Sequence, residues 1–537
     1  MKRAHLQTTV WGLVLSILCA ALAAGAVRAD DEPLRIDSGL ISGARTGDQS
    51  DVRVYKGIPF AAPPVGKLRW QPPQRPSAWD GVRECATFAP TCPQAPYPAG
   101  SVYAMTAQPQ SEDCLYLNVW TGAGRPNEKR PVMVWIHGGA LTRGSGSIPA
   151  YDGAALARKG VVLVTLNYRL GPLGYFSHPA LSRESPHGAS GNYGVLDQIA
   201  ALEWVQRNIG AFGGDPGRVT IFGESAGSWS VCALVATPLA KGLFHRAIGQ
   251  SGGCFGPMPK LKEARGELPP AEQRGEQLAA ALACDTAADP LAALREKSAE
   301  ELLATVAKIP AQARTHACVD GWVFPEEISA IYAAGKQAAV PVIVGSNADE
   351  GTSLAAQNVP PSSELFLTAA KRKYGDLAEQ FNKVYPVTSE SDVRDAFLHS
   401  MRDEWFTWEM RTWARMTQKA GQKAYQYYFT RVPPRPERQS LGAYHAAEIP
   451  YVFDNLAITN WSLEPVDTAL AKAMSDTWVR FAATGDPNGD GAPAWTAYGS
   501  GAEPYLEFGD TIRPGQELLK MECDFYDQHM AVRRSKP

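Results

Sequence analysis

Gly223-Glu224-Ser225-Ala226-Gly227 sets a serine between two glycines, directly after the apolar run Val219-Thr220-Ile221-Phe222 and ahead of Trp229 to Ala236, which contains neither Gly nor Pro. A strand that passes into a helix through so sharp a turn needs small flanking residues, because only they let the serine backbone bend and leave its hydroxyl exposed. The pattern asks for a strand-turn-helix unit with Ser225 at its apex, and it marks Ser225 as a candidate nucleophile. The same spacing recurs at Gly249-Gln250-Ser251-Gly252-Gly253. There the chain runs on into Cys254-Phe255-Gly256-Pro257-Met258-Pro259, whose glycine and prolines exclude the helix. Ser251 is read as a structural serine at a strand end.

Pro131 to Ile136 and Val161 to Leu166 are continuous apolar runs of the kind that fill a sheet covered on both faces. Ala154 to Lys159, helical in composition and stopped by Gly160, joins them as a strand-helix-strand crossover. Further strands are expected at 52–60, 115–120, 219–222, 246–248 and 340–344, with an amphipathic helix over 197–209. These predict an α/β fold with a mostly parallel sheet flanked by helices. Residues 272–308 and 362–423 are rich in helix formers and read as helical insertions over the carboxyl edge of the sheet. Length alone would suggest two or three domains for 537 residues. The order of motifs, with no repeat and no linker, argues instead for a single domain over 30–537.

Residues 1–29 have the layout of a cleaved secretory signal: Lys2-Arg3, an apolar run from Val10 to Leu22, then small residues up to Ala29. A lipoprotein through Cys19 is disfavoured by the bulk of Leu18, and the run is short for a retained membrane anchor. The expectation is a secreted or periplasmic protein with no stable membrane association. A net charge of −3 points to neither nucleic acid nor an anionic surface, so partners are expected to be small and mostly uncharged. Of nine cysteines, Cys19 leaves with the signal. Cys92 and Cys114 flank a Pro/Gly/Ala-rich loop that suits a bridge, while Cys85, Cys232, Cys254, Cys284, Cys318 and Cys523 allow 15 pairings or stay as buried thiols.

A serine hydroxyl becomes a useful nucleophile only when a histidine takes its proton, and that histidine needs a carboxylate to fix its tautomer. For an elbow serine the chain order is serine, acid, histidine. His137, His178 and His187 precede Ser225; of those that follow it, His445 stands between small residues in Gly442-Ala443-Tyr444-His445-Ala446-Ala447, whereas His245, His316, His399 and His529 occupy less distinctive contexts and read as surface or core histidines. The acid is expected after a strand between Ser225 and His445, where Val342 to Thr352 offers both Asp349 and Glu350. Spacing does not separate the two. Trp135-Ile136-His137-Gly138-Gly139-Ala140-Leu141 places a glycine loop after a strand, the form of an oxyanion loop whose backbone amides, with that of Ala226, stabilise charge on an attacked carbonyl.

With these residues in view, the chain resembles the type B carboxylesterases, the α/β-hydrolase group that includes cholinesterases and para-nitrobenzyl esterases. The resemblance extends over nearly the whole mature chain, through Tyr55-Lys56-Gly57-Ile58-Pro59-Phe60-Ala61, Ser111-Glu112-Asp113-Cys114-Leu115-Tyr116-Leu117-Asn118, Asn167-Tyr168-Arg169, Gly191-Asn192-Tyr193-Gly194, Phe212-Gly213-Gly214-Asp215-Pro216 and Gly485-Asp486-Pro487-Asn488. It implies a catalytic set of Ser225, Glu350 and His445, selecting the glutamate before the glycine over Asp349. It implies oxyanion donors at Gly139, Ala140 and Ala226, with Gly138 shaping the loop. Arg169 with Asp197 and Arg69 with Glu112 match structural ion pairs, and Cys92 with Cys114 matches a first disulfide. Cys284 matches half of a second, but its partner position carries Ala293 and leaves that bridge open.

The resemblance implies a serine ester hydrolase acting on a small-molecule ester through an acyl-enzyme, with no metal or organic cofactor. An amidase or transacylase would use the same residues. Non-enzymatic binding members of the group lack one or more of the catalytic residues, all of which are present here. Leu141 and Arg143 occupy loop positions where such proteins often carry aromatics. Arg143 could meet a substrate carboxylate at the mouth of the site, the ordinary alternative being an arginine turned to solvent. Trp229, Trp405 and Trp408 could line the pocket, with core or lid packing as the alternative.

Overall fold

The computed structural model describes residues 32–535 apart from 48–50, 105, 311–313, 437 and 500, so the expected signal at 1–29 lies outside the described residues. The apolar runs form an eleven-stranded sheet. In chain order its strands are β1 (Ala44–Arg45), β2 (Arg53–Pro59), β3 (Tyr116–Thr121), β4 (Arg130–Ile136), β5 (Val162–Leu166), β6 (Gly214–Glu224), β7 (Arg246–Gln250), β8 (Val342–Asn347), β9 (Ala424–Phe429), β10 (Pro504–Phe508) and β11 (Ile512–Gln516). Their order across the sheet is β11-β10-β9-β8-β7-β6-β4-β5-β3-β2-β1. From β5 to β10 neighbours run parallel, and antiparallel strands close both edges. This is the expected α/β-hydrolase architecture.

Alternation along the strands divides the core between the two faces of the sheet. Val132, Val134 and Ile136 of β4 pack on one face with Val164, Ile221 and Val344. Met133 and Trp135 turn to the other, against Phe222, Ile248, Tyr427 and Phe453. Residues on both faces are buried, which is why these strands read as unbroken apolar runs. Helices Tyr193–Asn208 and Ala226–Ala236 cover the first face and Pro465–Thr484 the second. The strand-helix-strand crossover appears as β4, helix Ala154–Arg158 and β5. The first insertion folds as helices Ala271–Ala281, Pro290–Glu296 and Ala299–Lys308, and the second as a run from Ser363 to Lys419.

Two buried ion pairs tie loops to this frame. Arg169 clasps Asp197 with two bonds of 2.8 and 2.7 Å, and Arg69 Nε donates to Glu112 at 2.7 Å while its Nη1 reaches the Lys297 carbonyl at 2.6 Å. Disulfides join Cys92 to Cys114 and Cys232 to Cys254. The second pairing, left open by the sequence, fastens the helix after Ser225 to the loop after β7. Cys85, Cys284, Cys318 and Cys523 are buried thiols.

Candidate active site

Ser225 ends β6 and begins helix Ala226–Ala236 with φ 58° and ψ −125°, a conformation that non-glycine residues adopt only when their surroundings enforce it. Its amide donates to the Gln250 carbonyl at 2.8 Å and its carbonyl accepts from Trp229 at 2.9 Å, so both sides of the turn are pinned. A Cβ on Gly223 would lie 2.6 Å from the Ile136 carbonyl oxygen, and one on Gly227 would lie 2.0 Å from the same atom. Both glycines are needed because the turn presses against the end of β4.

That contact brings the glycine loop beside the serine. A Cβ on Gly138 would be 3.0 Å from Ser225 Cβ. Gly139, Ala140 and Leu141 all have positive φ, 105°, 55° and 58°. The Gly139 carbonyl is taken by the amides of Thr142 and Arg143 at 3.0 and 2.9 Å, which curls the loop. Beneath it His137 stacks on Tyr168 at 4.4 Å, and the Tyr168 hydroxyl donates to the His137 carbonyl at 2.8 Å. Burial presses the His137 imidazole down to about 4, so it is a neutral strut. Among the described residues the Gly139 and Ala140 amides have no internal acceptor, and the Ala226 amide opens its helix, where no preceding turn can engage it.

His445 is buried, on a loop that bridges to Asp349. Its Nδ1 lies 2.6 Å from Glu350 Oε2, and the other carboxylate oxygen of Glu350 accepts from the Asn347 amide at 2.8 Å. Asp349 faces away from the ring and accepts from the Ala443 amide at 2.8 Å, holding the loop instead. The two carboxylates that spacing could not separate thus have different partners. Nε2 of His445 lies 3.1 Å from Glu224 Oε1, in the residue next to Ser225. Among the described residues no hydrogen bond joins the ring to the Ser225 hydroxyl. Phe406 covers the imidazole at 4.8 Å, and Tyr103 donates to the His445 carbonyl at 3.0 Å.

Burial alone would strip a proton from His445, but the carboxylates of Glu224 and Glu350 outweigh it and hold the imidazole up to about 9. Burial, with the charges of Glu448 and Glu350, pushes the Glu224 carboxyl well above its ordinary range, and His445 acts the other way. The two groups are coupled, because a proton on Glu224 removes one of the anionic neighbours that hold His445 up. Glu448 is fully buried and accepts from Asn347 Nδ2 at 2.7 Å and Gln250 Nε2 at 3.0 Å. This polar layer beneath the histidine was not singled out in the sequence; its only local sign was a glutamate three residues after His445.

A cavity of about 540 Å³ opens over Ser225. Ala140, Leu141, Ala226, Trp229 and Trp405 line it, as do Ser251 and Phe406. Ser251, at the end of β7, is buried with its hydroxyl unpartnered. Trp408 is not part of the wall: it is buried and donates to Asp527 at 2.9 Å, on the far side of its helix. Arg143 is also placed elsewhere. Its Nε donates to the Ala95 carbonyl at 3.1 Å and its guanidinium lies over Tyr97 at 5.3 Å. Cation–π stacking holds it against Tyr97, whose ring packs on Tyr103 at 5.8 Å.

Residues 30–526 match the Carboxylesterase family. The chain belongs to that family. It is 39% identical over 494 residues to the fumonisin B1 esterase of Sphingopyxis macrogoltabida, covering 89% of this chain and 87% of the relative. It is 37% identical over 465 residues to the para-nitrobenzyl esterase of Bacillus subtilis, covering 84% and 90%. A solved structure of PNB esterase superposes with a TM-score of 0.77 at 33% identity, over 92% of this chain and 99% of that one. This member of the carboxylesterase family is accordingly a carboxylic ester hydrolase, acting on small-molecule esters. Among its described residues no helix is long and apolar enough to cross a membrane.

Proposed function

We propose that ester cleavage proceeds through an acyl-enzyme on Ser225, with His445 as the general base and acid and Glu350 as its orienting carboxylate. The observation that carries this reading is the 2.6 Å contact between His445 Nδ1 and Glu350 in a buried site next to the strained Ser225 turn. A carboxylate at Nδ1 keeps the proton there and leaves Nε2 free to accept one. Nε2 already faces the Glu224-Ser225 turn. Catalytic hydrogen bonds are often long in an empty site and tighten around substrate, so rotation of the serine hydroxyl towards Nε2 belongs to substrate binding.

Attack by Ser225 Oγ on the ester carbonyl passes its proton to His445 Nε2. The carbonyl oxygen takes up negative charge against the amides of Gly139, Ala140 and Ala226, with Gly138 allowing the loop to approach. His445 then gives the proton to the departing alkoxide, which leaves as an alcohol. Water, deprotonated by the same nitrogen, hydrolyses the acyl-serine and releases the acid. Leu141, Trp229 and Trp405 surround the groups on either side of the ester bond. Ser225→Ala should abolish hydrolysis of para-nitrophenyl acetate with the melting temperature retained. Turnover above about one thousandth of wild type would refute the assignment.

The same reading has the protein exported after cleavage near Ala29, as a single domain over 30–537. The charged, apolar and small-residue layout of residues 2–29 supports export, as do two disulfides, which persist in oxidising compartments. N-terminal sequencing of the secreted or periplasmic protein tests it; a chain beginning at residue 1 would refute it.

A further inference from the structure

Six arginines are buried among the described residues: Arg69, Arg169, Arg274, Arg402, Arg411 and Arg431. Five of them grip a carboxylate, respectively Glu112, Asp197, Asp403, Glu503 and Asp467. Arg274 does not. Its side chain is 3% exposed, its Nε has no hydrogen-bond partner, and its Nη1 makes only a long 3.4 Å bond to the Arg314 carbonyl. An unpaired guanidinium is costly to bury, and an unsatisfied donor on it calls for an explanation. Its position supplies one, because among the described residues Arg274 is also the only arginine lining the cavity that holds Ser225.

Resting on the ester-hydrolase reading above, we propose that Arg274 is a specificity residue that receives a carboxylate carried by the substrate, so that the preferred esters are those bearing a free acid group. A planar guanidinium binds carboxylate through paired N–H donors, and exclusion of water strengthens the bond. Arg274 stands in the first turn of helix Ala271–Ala281, in the first insertion, so the charge reaches the cavity from a segment outside the sheet. His316 lies beside it on the cavity rim. Desolvation and the cations of Arg274 and Arg314 hold that imidazole below its ordinary value, leaving it a neutral second donor. Apart from Ser225 and Ser251, the rest of the wall, including Leu141, Trp229 and Phe406, carries no polar side chain and suits the carbon skeleton between acid and ester.

The test compares kcat/KM for para-nitrophenyl hemiglutarate, which puts a carboxylate on the acyl side, and 4-acetoxybenzoate, which puts it on the alcohol side, each against its neutral counterpart, para-nitrophenyl butyrate and phenyl acetate. In Arg274→Gln the anionic-to-neutral ratio for at least one pair should fall about tenfold or more, as for loss of a charged hydrogen bond, with Arg274→Lys falling less. Ratios within about twofold of wild type for both pairs would overturn the proposal. Should Arg274→Gln fail to fold, the intact enzyme still decides the matter. Glutarate should inhibit butyrate-ester hydrolysis competitively and at least about tenfold more strongly than glutaramide, and equal inhibition would overturn it. Failure of the underlying reading is distinguishable, since the neutral esters would then go unhydrolysed by wild type or remain hydrolysed by Ser225→Ala.

Discussion

Glu350→Gln separates the carboxylate that orients His445 from its neighbour. The substitution preserves shape, and either orientation of the new amide loses something definite. If its oxygen faces His445, its NH2 meets the Asn347 amide, which now donates to Glu350 at 2.8 Å, and two donors are buried face to face at a cost of about 1–3 kcal/mol. If its NH2 faces His445, the ring proton is driven to Nε2 and the nitrogen needed by Ser225 is blocked. In both cases the charge that steadies the imidazolium at 2.6 Å is gone, worth about 3 kcal/mol for a buried charged bond. Together these amount to about 5 kcal/mol in the transition state, a loss of between about 10³-fold and 10⁴-fold in kcat/KM. Asp349→Asn keeps an oxygen for the Ala443 amide and should cost less than about fivefold. The assay is para-nitrophenyl acetate hydrolysis across pH 5–9, with thermal melting as the control for folding. Glu350 raises the His445 pKa, so its removal should move the acid limb of any residual activity to lower pH. Activity above about one tenth of wild type in folded Glu350→Gln, or a larger loss in Asp349→Asn, would refute the reasoning.

Two further outcomes test the surroundings. Burial pushes the Glu409 carboxyl from 4.5 to about 7, although it accepts from the Phe255 amide. Because the folded value is the higher one, its contribution to stability is full below about 4.5 and is lost as pH rises through about 7, a swing of about 3 kcal/mol. Glu409→Gln should therefore melt higher than wild type at pH 8 but not at pH 4.5, as read by calorimetry, and an equal difference at both values would contradict this. Gly227→Ala places a Cβ 2.0 Å from the Ile136 carbonyl and 2.9 Å from the carbonyl carbon of His137, both backbone atoms that cannot swing aside. It should cost about 1–3 kcal/mol of stability and lower kcat more than about tenfold, because the nucleophile turn separates from the glycine loop. Wild-type kcat with wild-type melting would show that the turn has room to spare.

Much of this fold was legible because the central strands are buried on both faces. Pro131 to Ile136 and Val161 to Leu166 announce themselves as runs, whereas edge strands such as Ile512–Gln516, half exposed and containing Pro514, leave little signal. Ser225 was readable because its turn restricts residue type at two neighbours. His445 and Glu350 required chain order and resemblance, since a histidine and a glutamate carry no local mark of which partner they will meet 95 residues away. Arg143 stands out in the sequence for its place in the glycine loop, but Tyr97 and the Ala95 carbonyl, which hold it, come from a stretch nearly 50 residues upstream. Arg274 carries no mark in the sequence for the same reason in reverse: nothing within its helix shows that five other buried arginines find carboxylates and it does not. The Cys232 to Cys254 bridge was one of many pairings until β7 placed its following loop against the helix after Ser225.

The parallel strands deliver Ser225 and Glu350 to one rim of the sheet, while Arg274, His316 and Trp405 arrive on excursions that leave the sheet and return. On the proposed reading, the bond-breaking residues and the acid-binding Arg274 thus stand on separate lengths of polypeptide. Exchanging either excursion for another would retune what the enzyme accepts while the bond-breaking atoms stay where the strands put them, which makes these two segments the natural units for swapping preferences between proteins of this shape.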